Sequence, residues 1–231
     1  MAVRTQVYLD TNILKYAADR LMRFLPQQKE VNWGGHELTL THHREVVINP
    51  NDRIKDNDEL RREISLLRKV AGRKRLRFAM QIETVLESWG LPNMDSEEGI
   101  FFGREIETVA APVEYSRTLI EAHGDASERQ YEFLCSIDHP RFNEIQRATG
   151  AFQGKNKRNK NQLLDAWHLW SAEHNECSYF LTLDGKLARS LEQSRTELEL
   201  RVVGPSQLLN DTTLSKRFFR WLNPGNADSA D

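Results

Sequence analysis

The sequence predicts an α/β protein, a three-layer α/β/α sandwich around a mostly parallel central sheet. Three observations carry that expectation. Short apolar runs alternate with longer stretches of helical periodicity, as where Val7-Tyr8-Leu9 gives way to Ile13-Leu14 and Tyr16-Ala17. Cap and turn residues mark the changeovers, Asp10-Thr11-Asn12 after the first run and Pro205-Ser206 after the last. Hydrophobic residues make up 39% of the chain, enough for a core that covers both faces of a sheet.

Taken in order, Val3 to Leu9 reads as a strand that leads into a capped helix. Residues from about Leu25 to Asn51 break the pattern, with Gly34-Gly35 followed by alternating, β-branched residues, and predict a β-hairpin or small sheet. Asp56 to Val70 repeats Leu60, Ile64, Leu67 and Val70 on one helical face. Leu76 to Met80 is the next strand, and Thr84-Val85-Leu86 continues into a helix that Gly90 and Pro92 end. Residues 93–149 read as mostly amphipathic helix, clearest over Ser127 to Ile137 and Arg141 to Ala148. Gln162 to Asn175 is a strong helix, Ser178 to Leu183 a strand, Glu199 to Val203 a last strand, and Pro205 to Leu209 a short helix. With no Pro- or Ser-rich linker, residues 1–223 read as one domain, and 224–231 as an unstructured tail.

The 32 basic and 34 acidic residues give no global argument for a polyanionic partner, so any such argument is local. Two stretches hold basic residues and no acid: Arg68 to Arg77, and Gln153 to Asn161 with Lys155, Lys157, Arg158 and Lys160. The second directly precedes Asp165 and is the better candidate for phosphate contact, although solvated loops are the usual fate of charge runs. Cys135 and Cys177 lie outside any paired ligand spacing, which argues against a disulfide framework or a zinc site. A strand begins within a few residues of Met1 and no apolar run approaches ~18 residues. The expectation is a soluble, cytoplasmic protein with no membrane partner.

In open parallel sheets, ligands collect beyond the carboxyl ends of the strands. Asp10 and Asp184 fall there, at the ends of two predicted strands. Asp165 begins the helix before the Asp184 strand, and Glu87 lies on the helix after the second strand, so both can lean over the same rim. Neighbouring carboxylates raise one another's pKa unless a cation compensates them. All-oxygen ligands suit Mg²⁺ or Mn²⁺, and such an ion activates water and stabilises charge developing on a phosphodiester. The chemistry expected is hydrolysis.

Each residue has a plainer alternative. Asp10-Thr11-Asn12 reads equally as a helix cap after a strand, Glu87 as a solvated helix residue with Glu83 one turn earlier as its competitor, and Asp165 as a charge at a helix N-terminus. Asp184 before Gly185 is a common turn pair. His168, one turn from Asp165, is a candidate for substrate contact, but among Trp167, Leu169 and Trp170 it is more commonly a hydrogen-bonded packing residue.

Leu9-Asp10-Thr11-Asn12-Ile13-Leu14 resembles the opening motif of PIN-domain nucleases. Met80 to Glu87, with Thr84 three residues before Glu87, resembles the second motif, Asp165-Ala166-Trp167-His168-Leu169 the third, and Phe180-Leu181-Thr182-Leu183-Asp184 the Thr-x-Asp strand end. The motifs occur in the family's order over residues 1 to about 210. The resemblance implies a divalent-metal-dependent endoribonuclease with Asp10, Glu87, Asp165 and Asp184 as ligands to Mg²⁺ or Mn²⁺, supported by Thr11, Asn12 and Thr182. Segments 20–75 and 88–160 are longer than in compact members, so the fold is expected to be enlarged by insertions. Many such relatives are toxins of toxin–antitoxin pairs, which adds an antitoxin protein to RNA among the implied partners and leaves a homo-oligomer open. Three rivals are weighed. A haloacid-dehalogenase-type phosphatase needs a second Asp where Asn12 stands. A catalytically silent PIN-like binding module would have no need of four acids, and a structure-specific DNA nuclease usually carries more acids and a helical DNA-binding module.

Overall fold

The structure, a computed structural model, describes residues 5–17, 21–33, 36–48, 57–82, 84, 100–114, 126–152 and 159–212. In chain order the strands are β1 (Thr5–Leu9), β2 (Leu21–Trp33), β3 (His36–Ile48), β4 (Leu76–Gln81), β5 (Ile100–Phe101), β6 (Arg104–Val109), β7 (Tyr179–Leu181) and β8 (Arg201–Val203). The helices are α1 (Thr11–Ala17), α2 (Asp58–Ala71), α3 (Ala126–Ser136), α4 (Pro140–Ala148), α5 (Lys160–His174), α6 (Gly185–Gln193) and α7 over residues 205–212. The main sheet runs β5-β6-β4-β1-β7-β8, parallel throughout except for the short β5 at its edge.

Period-two alternation in β1 decides which layer each side chain joins. Val7 and Leu9 face a cluster with Ile13 and Leu14 of α1, Leu67 and Val70 of α2, and Leu208 of α7. Tyr8 faces the other layer, with Leu134 of α3, Phe142 and Ile145 of α4, Trp167 of α5, and Leu187 of α6. The sheet is therefore covered on both faces, as expected. Trp167 is fully buried and takes Phe133 and Phe142 edge-to-face at 6.0 and 6.1 Å, which locks α5 against α3 and α4.

The hairpin between the first two helices is present as β2 and β3, paired in register from Leu21↔Ile48 to Trp33↔His36 and forming a separate two-stranded sheet. It starts four residues earlier than the sequence pattern indicates. Pro26, which lacks an N–H, is tolerated because a two-stranded ribbon has a free edge on each strand.

Three expectations are corrected. The sequence pattern over residues 93–149 predicts mostly helix, yet Arg104–Val109 is a parallel strand beside β4. Its exposed Glu105, Glu107 and Thr108 disguise it, because only Ile106 points fully into the core. Helix α5 begins at Lys160, where the Asn159 side chain accepts from the backbone N–H of Asn161 and Gln162, so Asp165 lies in the second turn and not at the helix start. The basic run from Arg68 to Arg77 sits at the amino edge of the sheet, where the Thr5 N–H donates to the Arg75 carbonyl at 3.1 Å. Asp10 is a strand length away, about 17 Å for five residues. Part of that cluster is also engaged, with Arg77 paired to Glu107 and Arg68 over the Phe102 ring at 5.1 Å.

The helix expected to follow β4, beyond Thr84, and the tail after residue 223 fall outside the described residues. Among the described residues, no helix is long and apolar enough to cross a membrane.

Candidate active site

Strand order reverses at β1. From β1 the sheet grows one way through β4 and β6, and from β7 the other way to β8. The chain leaves β1 into α1 on one face and leaves β7 into α6 on the opposite face, so a crevice opens between the carboxyl ends of β1 and β7. Asp10 and Thr182 follow directly on these two strands.

The Asp10 N–H continues the ladder to the Leu181 carbonyl at 3.1 Å, and the residue is 6% exposed. The Thr182 hydroxyl, itself buried, donates to Asp10 Oδ2 at 2.6 Å. Thr182 Oγ1 in turn accepts from Asn12 Nδ2 at 3.1 Å and from the Asp184 backbone N–H at 2.9 Å. Asn12 closes the loop, because its Oδ1 accepts from the Leu183 N–H at 3.1 Å. Residues from the end of β1 and the end of β7 are thus stitched together around one hydroxyl. Thr11 opens α1 and is half-buried.

Asp184 stands at the N-cap of α6, its Oδ1 accepting from the N–H groups of Lys186 and Leu187 at 2.8 and 3.2 Å. The plainer reading of this residue is therefore met in part: the motif is a helix cap, with Gly185 as the first helical residue. Capping engages one carboxylate oxygen and holds the side chain at the rim.

Helix α5 runs antiparallel to the parallel strands, since its C-terminal end leads to Ser178, whose N–H donates to the Gln6 carbonyl at the start of β7. Its height against β1 is fixed by a buried polar cluster. The Tyr8 hydroxyl lies 3.1 Å from Thr84 Oγ1 and 3.3 Å from His168 Nδ1, Thr84 Oγ1 lies 3.2 Å from the same nitrogen, and the Gln81 N–H donates to the Tyr8 hydroxyl at 3.2 Å. From this level Asp10 is two strand residues higher, roughly 7 Å, and Asp165 three helical residues higher, roughly 4.5 Å. Strand and helix therefore carry the two carboxylates toward the same rim. Asp165 is half-buried there.

His168 is corrected as a substrate-contact candidate: it is 2% exposed, with Nδ1 held by Tyr8 and Thr84. The packing alternative describes it. Lys160 opens α5 at the carboxyl edge, while Lys155, Lys157 and Arg158, and both Glu83 and Glu87, lie outside the described residues. Among the described residues, no three His, Cys, Asp or Glu side chains form a ready-made cation cage. Asp10 and Asp184 stand just past the ends of β1 and β7 and Asp165 in the second turn of α5; their carboxylate oxygens are the donor type of a hard divalent cation and not of a thiolate-seeking one.

Tyr8 is the residue that sequence reasoning missed. Within Val7-Tyr8-Leu9 it counts as one more apolar strand residue, yet a buried tyrosine needs a partner for its hydroxyl, and its position two residues before Asp10 is the available signal. No family model matches the chain, and no curated protein sequence matches it.

Proposed function

We propose that this protein is a divalent-metal-dependent endoribonuclease of the PIN type. The observation that carries the reading is the network around the Thr182 hydroxyl, which ties Asp10 to the end of the neighbouring strand at the point where strand order reverses. Folding alone gives little reason to bury a carboxylate at a strand end, and a bound cation would offset that burial.

Asp10, Asp165 and Asp184, with Glu87 or its competitor Glu83 as the fourth, would hold Mg²⁺ or Mn²⁺. Bound there, such an ion supplies Lewis acidity toward water and neutralises charge gathering on a phosphodiester. The chain's own contribution is positional. The Thr182 hydroxyl fixes the rotamer of Asp10, Asn12 holds Thr182 and the Leu183 N–H together, and the α6 cap fixes Asp184. The Tyr8–Thr84–His168 cluster sets the height of α5, and with it that of Asp165. Residues that orient ligands in this way contribute about 10–100-fold to affinity or activity in metal sites.

The test is cleavage of a labelled single-stranded RNA by the purified full chain in Mg²⁺ or Mn²⁺. Cutting within the strand that stops on chelation with EDTA supports the reading. Cutting that survives thorough chelation, or that is confined to DNA, refutes it.

A further inference from the structure

Beside Thr182 and Asp184 the carboxyl edge carries an open cleft of about 630 Å³, bordered by the starts of α2, α6 and α7. We propose that it is a subsite for one nucleotide of the RNA strand, the residue flanking the cleaved bond. This rests on the nuclease reading above. The volume falls within the roughly 300–1,000 Å³ that small-ligand sites occupy. Its position decides which part of a substrate it can take, since Thr182 and Asp184 belong to its wall and to the carboxylate rim alike.

The lining chemistry suits a base and its phosphate. Leu60, Leu183 and Pro205 give an apolar surface against which a base can pack. Two amides stand beside it with their oxygens already engaged: Asn57 Oδ1 accepts from the Leu60 N–H at 2.9 Å, and Gln207 Oε1 from the Gly204 N–H at 3.1 Å. Their NH₂ groups remain as donors with no partner among the described residues, which matches the acceptor atoms on base edges. Lys186 and Arg189 also line the cavity, exposed and without an ion pair or side-chain hydrogen bond among the described residues. Three acids share the lining, Glu59, Glu63 and Asp184, of which Glu59 is exposed and the other two are partly engaged. Glu63 Oε2 accepts from the Ser206 N–H at 3.0 Å, and Asp184 Oδ1 caps α6. Lys186 and Arg189 are the two cations of the lining that a phosphate can meet. Recognition of unstacked single-stranded bases by such edge donors is the usual route to RNA sequence preference.

Two measurements test the assignment. The first uses nucleoside 5′-monophosphates of each base, with inorganic phosphate as the comparison, titrated into the ¹⁵N-labelled protein in EDTA. The expected result is movement of the Asn57 and Gln207 side-chain amide signals that depends on the base and is absent with phosphate alone. Equal movement with phosphate alone, or movement confined to other residues, overturns the subsite. The second compares cleavage by the wild type, by Asn57→Ser with Gln207→Ala, and by Lys186→Gln with Arg189→Gln. Serine keeps the α2 cap, so the fold of the first variant is protected. That variant should raise KM about tenfold, the loss of one or two net hydrogen bonds, and relax the base preference beside the cut when the ends are sequenced. The second variant should show a shallower dependence of KM on salt. If the wild type cuts RNA and both variants keep its KM and preference, the subsite is refuted and the nuclease reading stands. If the monophosphates bind as expected and RNA is never cut, the nuclease reading fails instead.

Discussion

Replacing Thr182 by Val deletes one hydroxyl and keeps the shape of a buried side chain. That hydroxyl makes three bonds: to Asp10 Oδ2 at 2.6 Å, from Asn12 Nδ2 at 3.1 Å and from the Asp184 N–H at 2.9 Å. The bond to a carboxylate is charge-assisted and contributes about 1.5–3 kcal/mol. The two donors left behind are only part-buried and can recruit water, which keeps the total near 3 kcal/mol. At about 2–4 °C per kcal/mol for a domain of this size, the Tm should fall by about 6–12 °C. Metal-dependent cleavage should fall by about 10–100-fold, because Asp10 loses the partner that fixes its orientation. Thr182→Ser is the control, since it keeps the hydroxyl and should restore most of both. Thermal unfolding and initial cleavage rates on the three proteins read the outcome. A Thr182→Val protein that melts and cuts like the wild type would refute the claim that this hydroxyl organises the site.

Three further outcomes follow from the same geometry. Tyr8→Phe should cost about 1–3 kcal/mol in urea unfolding, because the buried Gln81 N–H loses its acceptor while Thr84 and His168 stay bonded to each other; an unchanged midpoint would mean that the hydroxyl does not set the level of α5. Arg141→Met should cost about 3 kcal/mol by leaving Glu173, whose side chain is 6% exposed and takes two Arg141 bonds at 2.6 and 2.9 Å, without its cation and with the Glu199 N–H still on Oε1; Glu173→Gln in the same background should recover part of the loss, and no recovery would count against the ion pair as its source. Burial pushes the Cys177 thiol up to about 12, with Glu107 adding to the shift, so iodoacetamide at mildly alkaline pH should label the half-buried Cys135 first; mass spectra showing Cys177 alkylated ahead of Cys135 would contradict that burial.

The layers were legible because β1, α1 and β7 announce themselves locally. Val7-Tyr8-Leu9 and Tyr179-Phe180-Leu181 are apolar runs that end in residues able to cap a helix, and that pattern depends on nothing distant. Arg104–Val109 was not legible, since a strand with one face in water shows the core only Ile106, and its charges imitate a solvated helix. The structure starts α5 two residues before the sequence pattern does, because the cap is Asn159, inside a polar run that also contains Asn156 and Asn161. At the site, the sequence could nominate Asp10, Asn12, Thr182 and Asp184 but not say how they join. The bonds between them cross about 170 residues of chain and exist only once β1 and β7 are paired. Tyr8 was invisible for a related reason: a strand pattern reports that a side chain is buried, not what its hydroxyl meets. Conversely, the Arg68 to Arg77 run was conspicuous in sequence and lies at the wrong edge of the sheet, because local charge carries no information about which end of a strand it adjoins.

The measurement that bears most directly on the metal-dependent site is Mn²⁺ binding, followed by calorimetry, set beside RNA cleavage in the wild type, Asp10→Asn and Asp184→Asn. Asparagine can still accept the Thr182 hydroxyl at position 10 and still cap α6 at position 184, so each variant removes charge while keeping the local hydrogen bond. The account predicts that both variants stay folded, bind Mn²⁺ at least about tenfold more weakly, and lose cleavage in step with that binding. Variants that match the wild type in Mn²⁺ affinity and cleavage would contradict it.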